Sequence, residues 1–349
     1  MRILTTLPQD DLNDVPAAAR AAEAVGYDGL VTMENRNEPF LALGVAAVST
    51  SRIGLCTGIA IAFSRSPMAV ANACWDLQVA SRGRFVLGLG PQVRAHNEKR
   101  FSVPWSAPAP RMREYVEALR AIWRRWEKGE PLAYRGKHYT FTLMTPNFTP
   151  TSTGQPMVPV TLAAVGPAML RVAGEVGDGV RLHGFCTRRY LEEVALPAVQ
   201  AGLARSGRDR RHFQVWGGGF IATGADEGEL RKSMDEVRYR VAFYGSTRSY
   251  RPVLSAHGWD ELGNELHRMS VRGEWSQMAA QVSDEVVHAF AACATHRDLP
   301  AAIEKRFGGL TDAIGLGFAK DAPEGLVREL VADLRRIPSV FQGFATRWD

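Results

Sequence analysis

Glycines and a few polar side chains gather where strand-forming stretches of this 349-residue chain break. Threonines Thr5 and Thr6 follow the first such stretch, and Glu34, Asn35, Arg36 and Asn37 follow the second. TGIAIAFSRSP over 57–67 follows the third, Gly90, Gln92 and His96 the fourth, Val165, Gly166 and Pro167 the fifth, and His183 with Gly184 the sixth. Glycine at a strand end lets backbone approach a ligand closely, so several on one rim point to a flat molecule lying against them. Taken singly, each glycine reads more readily as closing a tight turn. Proline at 167 suits a first helical turn, whose free N–H groups favour an anion. Other chemistries lack their motifs: the chain has no HExxH, no GxSxG elbow and no GxxxxGK[ST] loop. GLGPQV at 88–93 lacks the third glycine of a dinucleotide turn and follows the fourth strand rather than the first. Cys56, Cys74, Cys186 and Cys293 stand singly among apolar neighbours, which reads as buried free thiols rather than metal or redox pairs.

The elements that must position these residues repeat a short apolar strand followed by an amphipathic helix. Strands are expected at 2–7, 27–33, 52–60, 84–90, 157–165, 178–184, 213–222 and 311–318. The helices after them are expected at 14–25, 39–51, 67–80, 111–129, 167–177, 188–207, 226–245 and 323–337. Eight such units with right-handed crossovers close into a (β/α)8 TIM barrel of about 250 residues, whose chemistry collects at the strand C-terminal ends. The remaining residues fall mostly in two insertions, 130–156, with a hairpin around Gly136, and 246–310, polar and partly helical. Neither has apolar periodicity long enough for a second core, so 1–349 is expected to be one domain.

Composition narrows the class further. Hydrophobic residues make up 46% and charged residues 23%, as in an ordinary soluble globular protein. No apolar run reaches the roughly 18 residues of a membrane span, and the start turns acidic too soon for a signal peptide, so the expected compartment is the cytoplasm. The net charge of +5 comes from a strongly arginine-biased basic set, with no polybasic run or interleaved aromatics, and nucleic acid is not an expected partner.

TGIAIAFSRSP with its small-residue helix, RGRFVLGLGPQVRAHNEKRFSVPW, PVTLAAVGPAMLRVAGEVGDGV, GLARSGRDRRHFQV and FYGSTRSYRPVL together resemble the luciferase-like flavin and deazaflavin oxidoreductases. Within them the chain is most similar to the actinobacterial branch that uses coenzyme F420, a 5-deazaflavin. The resemblance implies a non-prolyl cis peptide between Gly58 and Ile59, in a bulge ending strand three that presses on the cofactor ring. By the same resemblance Ala60 and Gly90 lie near the ring and His96 touches it, His96 otherwise reading as a loop-capping histidine. Val165, Gly166 and Pro167 approach the ribityl and phosphate part. Glu34 matches an acidic or polar residue at the head of the ring and is, with His96, the candidate catalytic group; otherwise it caps the following helix or pairs with Arg36. Thr6, Phe63, His183 and Phe185, with Tyr244 and Tyr250, are expected on the substrate side. The implied activity is hydride transfer between F420 and an organic small molecule. The alternatives are an FMN-dependent monooxygenase of the same superfamily and a non-catalytic barrel that binds a flavin or metabolite. The resemblance also implies a homodimer or larger homo-oligomer.

Overall fold

A computed structural model describes residues 1–318, 322–345 and 348. Eight parallel strands form the barrel: β1 (Arg2–Thr6), β2 (Gly29–Thr32), β3 (Gly54–Thr57), β4 (Phe85–Gly90), β5 (Val160–Ala164), β6 (Gly179–Leu182), β7 (Gln214–Gly217) and β8 (Ala313–Gly315). Each pairs with its sequence neighbours, and β8 returns to β1 through the Arg2–Ala313 register, which closes the ring. Closure leaves the barrel itself without an open edge, and a helical crossover between successive barrel strands is what makes each of their pairs parallel.

The two faces of each strand are sorted by their period of two. Inward, Leu4, Val31, Cys56 and Ala313 fill the barrel axis with Val86 and Trp216 packed against them. Outward, Leu30, Leu55, Phe85, Leu87, Val160 and Val180 meet the surrounding helices in the main core. The longest of those helices, Pro108–Lys128, buries Met112, Tyr115, Leu119, Ile122, Trp123 and Trp126. Their spacing of three and four keeps them on one face, and each large side chain so buried is worth about 1.5–3 kcal/mol. Gly129 ends this helix at φ +73°, a conformation glycine adopts without strain.

Three local departures from the periodic reading matter. The stretch 213–222 is two strands, because Gly217 and Gly218 both take positive φ and turn the chain out of the barrel after β7. Phe220–Gly224 then pairs in parallel with Ala291–Thr295, a strand inside the segment 246–310, to form a separate two-stranded sheet. The linker after β4 contains a short helix, Arg94–Lys99, ahead of the long one. Tyr134–Arg135 and Thr140–Phe141 form the antiparallel hairpin expected around Gly136. Among the described residues no helix is long and apolar enough to cross a membrane, and all four cysteines are free, with Cys56, Cys74 and Cys186 buried.

Candidate functional site

Strand β3 does not end at Thr57. Cys56 faces Val86 on β4, and the chain returns to the same strand where Ala60 faces Leu89 and Ile61 faces Gly90. Between those contacts the third strand advances four residues while β4 advances three, so one residue is extruded as a bulge. The Gly58-Ile59 peptide bond within it is cis. Gly58 has no room for a side chain, since a Cβ there would stand 2.4 Å from Val31 Cγ1. Gly90 is similarly confined, its would-be Cβ lying 2.9 Å from the side chain of Ile59.

Glu34 clamps this bulge. Its backbone N–H donates to Ile59 O at 3.2 Å, and its carboxylate accepts from the Ile61 N–H and from Arg65 Nη1, both at 2.7 Å. The carboxylate is only 5% exposed. Tyr115, whose phenol burial pushes well above its usual range, donates its OH to Arg65 O at 3.2 Å and so ties the clamp to the long helix. The two other roles considered for Glu34 do not hold. Helix capping belongs to Glu38, whose Oε2 accepts from Phe40 and Leu41 N–H, and the ion-pair partner is Arg65 rather than Arg36. The reason is geometric: residues 34 and 65 follow the ends of adjacent strands and so meet at the rim.

Directly beneath the bulge lies Arg181, projecting into the barrel from β6. Its guanidinium carbon sits 3.8 Å from the centre of the Trp216 ring, and Nε donates to Thr161 Oγ1 at 2.6 Å. Nη1 is buried without a hydrogen-bond partner and lies 3.3 Å from the position a Gly58 Cβ would occupy. Among the described residues no carboxylate forms an ion pair with it, and burial lowers its pKa against the opposing pull of the neighbouring Cys56. Gly88 makes this possible, because a Cβ there would come within 2.5 Å of Arg181 Nε. The glycines of GLGPQV therefore accommodate an arginine and a bulge, not a dinucleotide turn.

His96 lies exposed on the Arg94–Lys99 helix, and its ring makes no hydrogen bond among the described residues. Loop capping falls to its neighbour Asn97, fully buried, which donates to Pro91 O at 2.8 Å and Val93 O at 3.1 Å. Val165 is fixed by Tyr190, whose OH donates to its carbonyl at 3.0 Å. Gly166 then caps the helix Pro167–Val176 with no side-chain cap, and nothing lies within 4 Å of where its Cβ would be. The N-terminus of that helix is open. Thr6 is exposed at the end of β1, while Phe63 and Phe185 are buried, at 4% and 0% exposure. Phe63 carries Arg111 over its ring at 4.3 Å, and Phe185 stacks on Phe290 at 4.4 Å. Phe185 supports the site from behind.

Phe185 also sets the state of His183. Its N–H donates to His183 Nδ1 at 2.9 Å, leaving the ring proton on Nε2. Tyr244 and Tyr250 pack on the ring at 4.3 and 4.9 Å, and burial depresses the imidazole pKa to about 4. A histidine that folds neutral costs stability wherever the unfolded chain would protonate it. Unfolding free energy is therefore expected to fall as pH drops from about 6.5 to 4, by at most about 3 kcal/mol from this group. Urea titrations across that range check it: His183→Gln should flatten the slope, and an unchanged slope would contradict the assignment.

Arg181 escapes the reading of strand ends, and Arg65 lies inside the 57–67 turn without a role of its own. The signal for Arg181 was a charged residue in the middle of GVRL, an otherwise apolar strand; Arg65 carried none beyond its place in the turn. Among the described residues no cluster of histidine, cysteine, aspartate or glutamate could hold a metal ion.

Sequence and structure comparisons relate the chain to known proteins. The family model for luciferase-like monooxygenases matches residues 2–312. An uncharacterized protein of Mycobacterium tuberculosis is 48% identical over 319 residues, covering 91% of this chain and 94% of its own. The 5,10-methylenetetrahydromethanopterin reductase of Archaeoglobus fulgidus is 29% identical over 287 residues, 80% of this chain and 82% of its own. Among solved structures, the coenzyme F420 dependent tetrahydromethanopterin reductase of Methanopyrus kandleri superposes with a TM-score of 0.77 at 23% identity, over 96% of this chain and 98% of its own. The match runs from β1 to the threshold of β8, through the bulge and every glycine-bearing rim described above, and this chain belongs to the luciferase-like monooxygenase family, a family of oxidoreductases.

Proposed function

We propose that the chain is a cytoplasmic oxidoreductase that exchanges a hydride between coenzyme F420 and an organic small molecule at the barrel mouth, with residues 1–349 acting as one unit. The observation that carries the reading is the clamped bulge with an unpaired guanidinium buried under it. Arg181 is held by Trp216, Thr161 and Cys56 with its Nη1 unspent, and its positive charge beneath the bulge would favour a ring system that gains electron density on reduction. The similarity to reductases whose names specify F420 or methylenetetrahydromethanopterin supports the choice of cofactor.

When bound, a deazaflavin supplies a carbon centre that carries hydride in two-electron steps, and the protein supplies position and electrostatics. In this reading Gly58, Ile59 and Ala60 form the wall against one ring face, with Gly90 beside them. Val165, Gly166 and the open helix N-terminus at Pro167 hold the ribityl and phosphate part. Glu34 is assigned to holding the wall, because both its oxygens are already engaged, and His96 is the exposed group at the rim available to touch the ring. Thr6 and His183 face the substrate side.

Fluorescence titration with F420 and FMN tests this. Roughly micromolar binding of F420, and its oxidation or reduction against an acceptor panel, is the expected result. Binding of FMN alone, with oxygen consumed on substrate addition, would make it a flavin monooxygenase. F420 binding with no turnover on any acceptor would make it a non-catalytic barrel.

Arg181→Met separates function from folding. Replacing a buried unpaired ion by an apolar side chain of similar length is often neutral or stabilising. The variant is expected to unfold at equal or higher urea concentration, yet to bind F420 about tenfold more weakly. Lower stability with unchanged affinity would show a purely structural arginine.

We also propose a homodimer formed over the helices Leu41–Ser49 and Pro67–Ala80, which leave Leu41, Val48 and Val79 at 61%, 76% and 50% exposure. Light scattering should give twice the chain mass, and Val48→Glu should halve it. A wild-type monomer would remove the proposal.

A further inference from the structure

A cavity of about 310 Å³ opens at the same rim, between the end of β6, the start of the Phe220–Gly224 strand and the helix Glu227–Gly245. Its walls are aromatic: His183 meets Tyr244 edge to face at 4.3 Å, Tyr244 meets Phe243 at 5.2 Å, and Phe220 closes the far side. Gly184 is what admits that last ring, since a Cβ there would lie 2.4 Å from Phe220 Cε1. Besides the tyrosine hydroxyls, two polar groups remain unspent. His183, with Nδ1 occupied by the Phe185 N–H, presents an Nε2–H that has no partner among the described residues. Arg240, on the helix at the opening, makes no ion pair among the described residues, and no carboxylate lines the cavity.

Flat walls select a flat ligand, because rings stack edge to face or offset at 4.5–7 Å between centroids. A neutral N–H donor fixes the orientation of a ligand acceptor, and a free guanidinium takes an anionic substituent in paired hydrogen bonds. The volume suits a one- or two-ring compound. We propose that the substrate pocket takes an aromatic carboxylate, its ring held between Tyr244 and Phe220, its carboxylate on Arg240 and a ring-borne acceptor on His183 Nε2–H. This rests on the reading of the barrel mouth as the active site.

Calorimetric titration of the full-length protein with 2-naphthoate, 2-naphthamide and cyclohexanecarboxylate tests the ring and the carboxylate separately. Naphthoate should bind at least about tenfold more tightly than either of the others. Arg240→Gln should remove that advantage over the amide while leaving amide affinity in place, and Tyr244→Leu should weaken both aromatic ligands. Equal binding of naphthoate and naphthamide, an indifferent Arg240→Gln, or no binding at all would overturn the proposal. So would a self-association surface here, seen as flat titrations together with a change of mass in Trp275→Ala, whose side chain packs on Phe243 at 5.8 Å. Titrating F420 into the same preparation keeps the two readings apart: naphthoate binding without F420 binding sinks the cofactor and spares the pocket, and the reverse does the opposite.

Discussion

Glu34→Ala is expected to lower the unfolding free energy by about 3 kcal/mol and to abolish measurable F420 binding. The substitution strips the acceptor from the Ile61 N–H and from Arg65, which is one quarter exposed and left with Glu38 at 3.7 Å as its remaining partner. Breaking a buried pair costs about 3–5 kcal/mol when both ions are enclosed, and the partial exposure of Arg65 places this one at the lower end. Glu34→Gln retains an acceptor for the Ile61 N–H and so should lose roughly half as much stability and keep weakened binding. Urea unfolding and cofactor titration on the two variants decide the role. A glutamine variant that folds and binds like wild type but turns over at least about a hundredfold more slowly would make Glu34 a proton-transfer group instead of a clamp.

Gly88→Ala should cost about 3 kcal/mol, although it adds one methyl group to an apolar strand. Its Cβ would lie 2.0 Å from Thr57 O and 2.5 Å from Arg181 Nε. Neither neighbour can give way easily. Gly88 N–H donates to Thr57 Oγ1 and the same hydroxyl donates to Gly88 O, both at 2.8 Å, which locks the two strands together. Arg181 is held by Thr161 and Trp216. Gly166→Ala is the control: with open space around it and φ −82°, it should shift stability by no more than about 0.5 kcal/mol. Equal effects at the two positions, measured by urea midpoints, would mean that the wall beneath the bulge is softer than its geometry implies.

Both substitutions act on a feature that is only partly legible in the chain. The turn after Thr57 stands out because glycine, serine and proline interrupt a strand of apolar residues. Assigning Glu34 to it required knowing that β2 and β3 are neighbours, and the local guess of Arg36 as its partner failed for that reason. His96 was similarly legible as a polar residue on a rim, while the residue that structures its loop is the adjacent Asn97. Phe185 reads as a substrate contact in sequence, yet its ring is fully buried and its backbone N–H donates to His183 Nδ1.

The barrel itself was within reach of sequence, because period-two strands alternating with period-3.6 helices are local patterns, and eight of them leave few ways to bury all the apolar faces. Even there, 213–222 divided into two strands, since two consecutive glycines at positive φ turn the chain where hydrophobicity alone does not. What the chain determined by itself is therefore the succession of elements and the chemistry available at each strand end. Only the closed fold decided which of those ends meet, which carboxylate is already engaged, and that Arg181 has no carboxylate partner among the described residues, because each depends on registers between strands that are distant in sequence and adjacent in space.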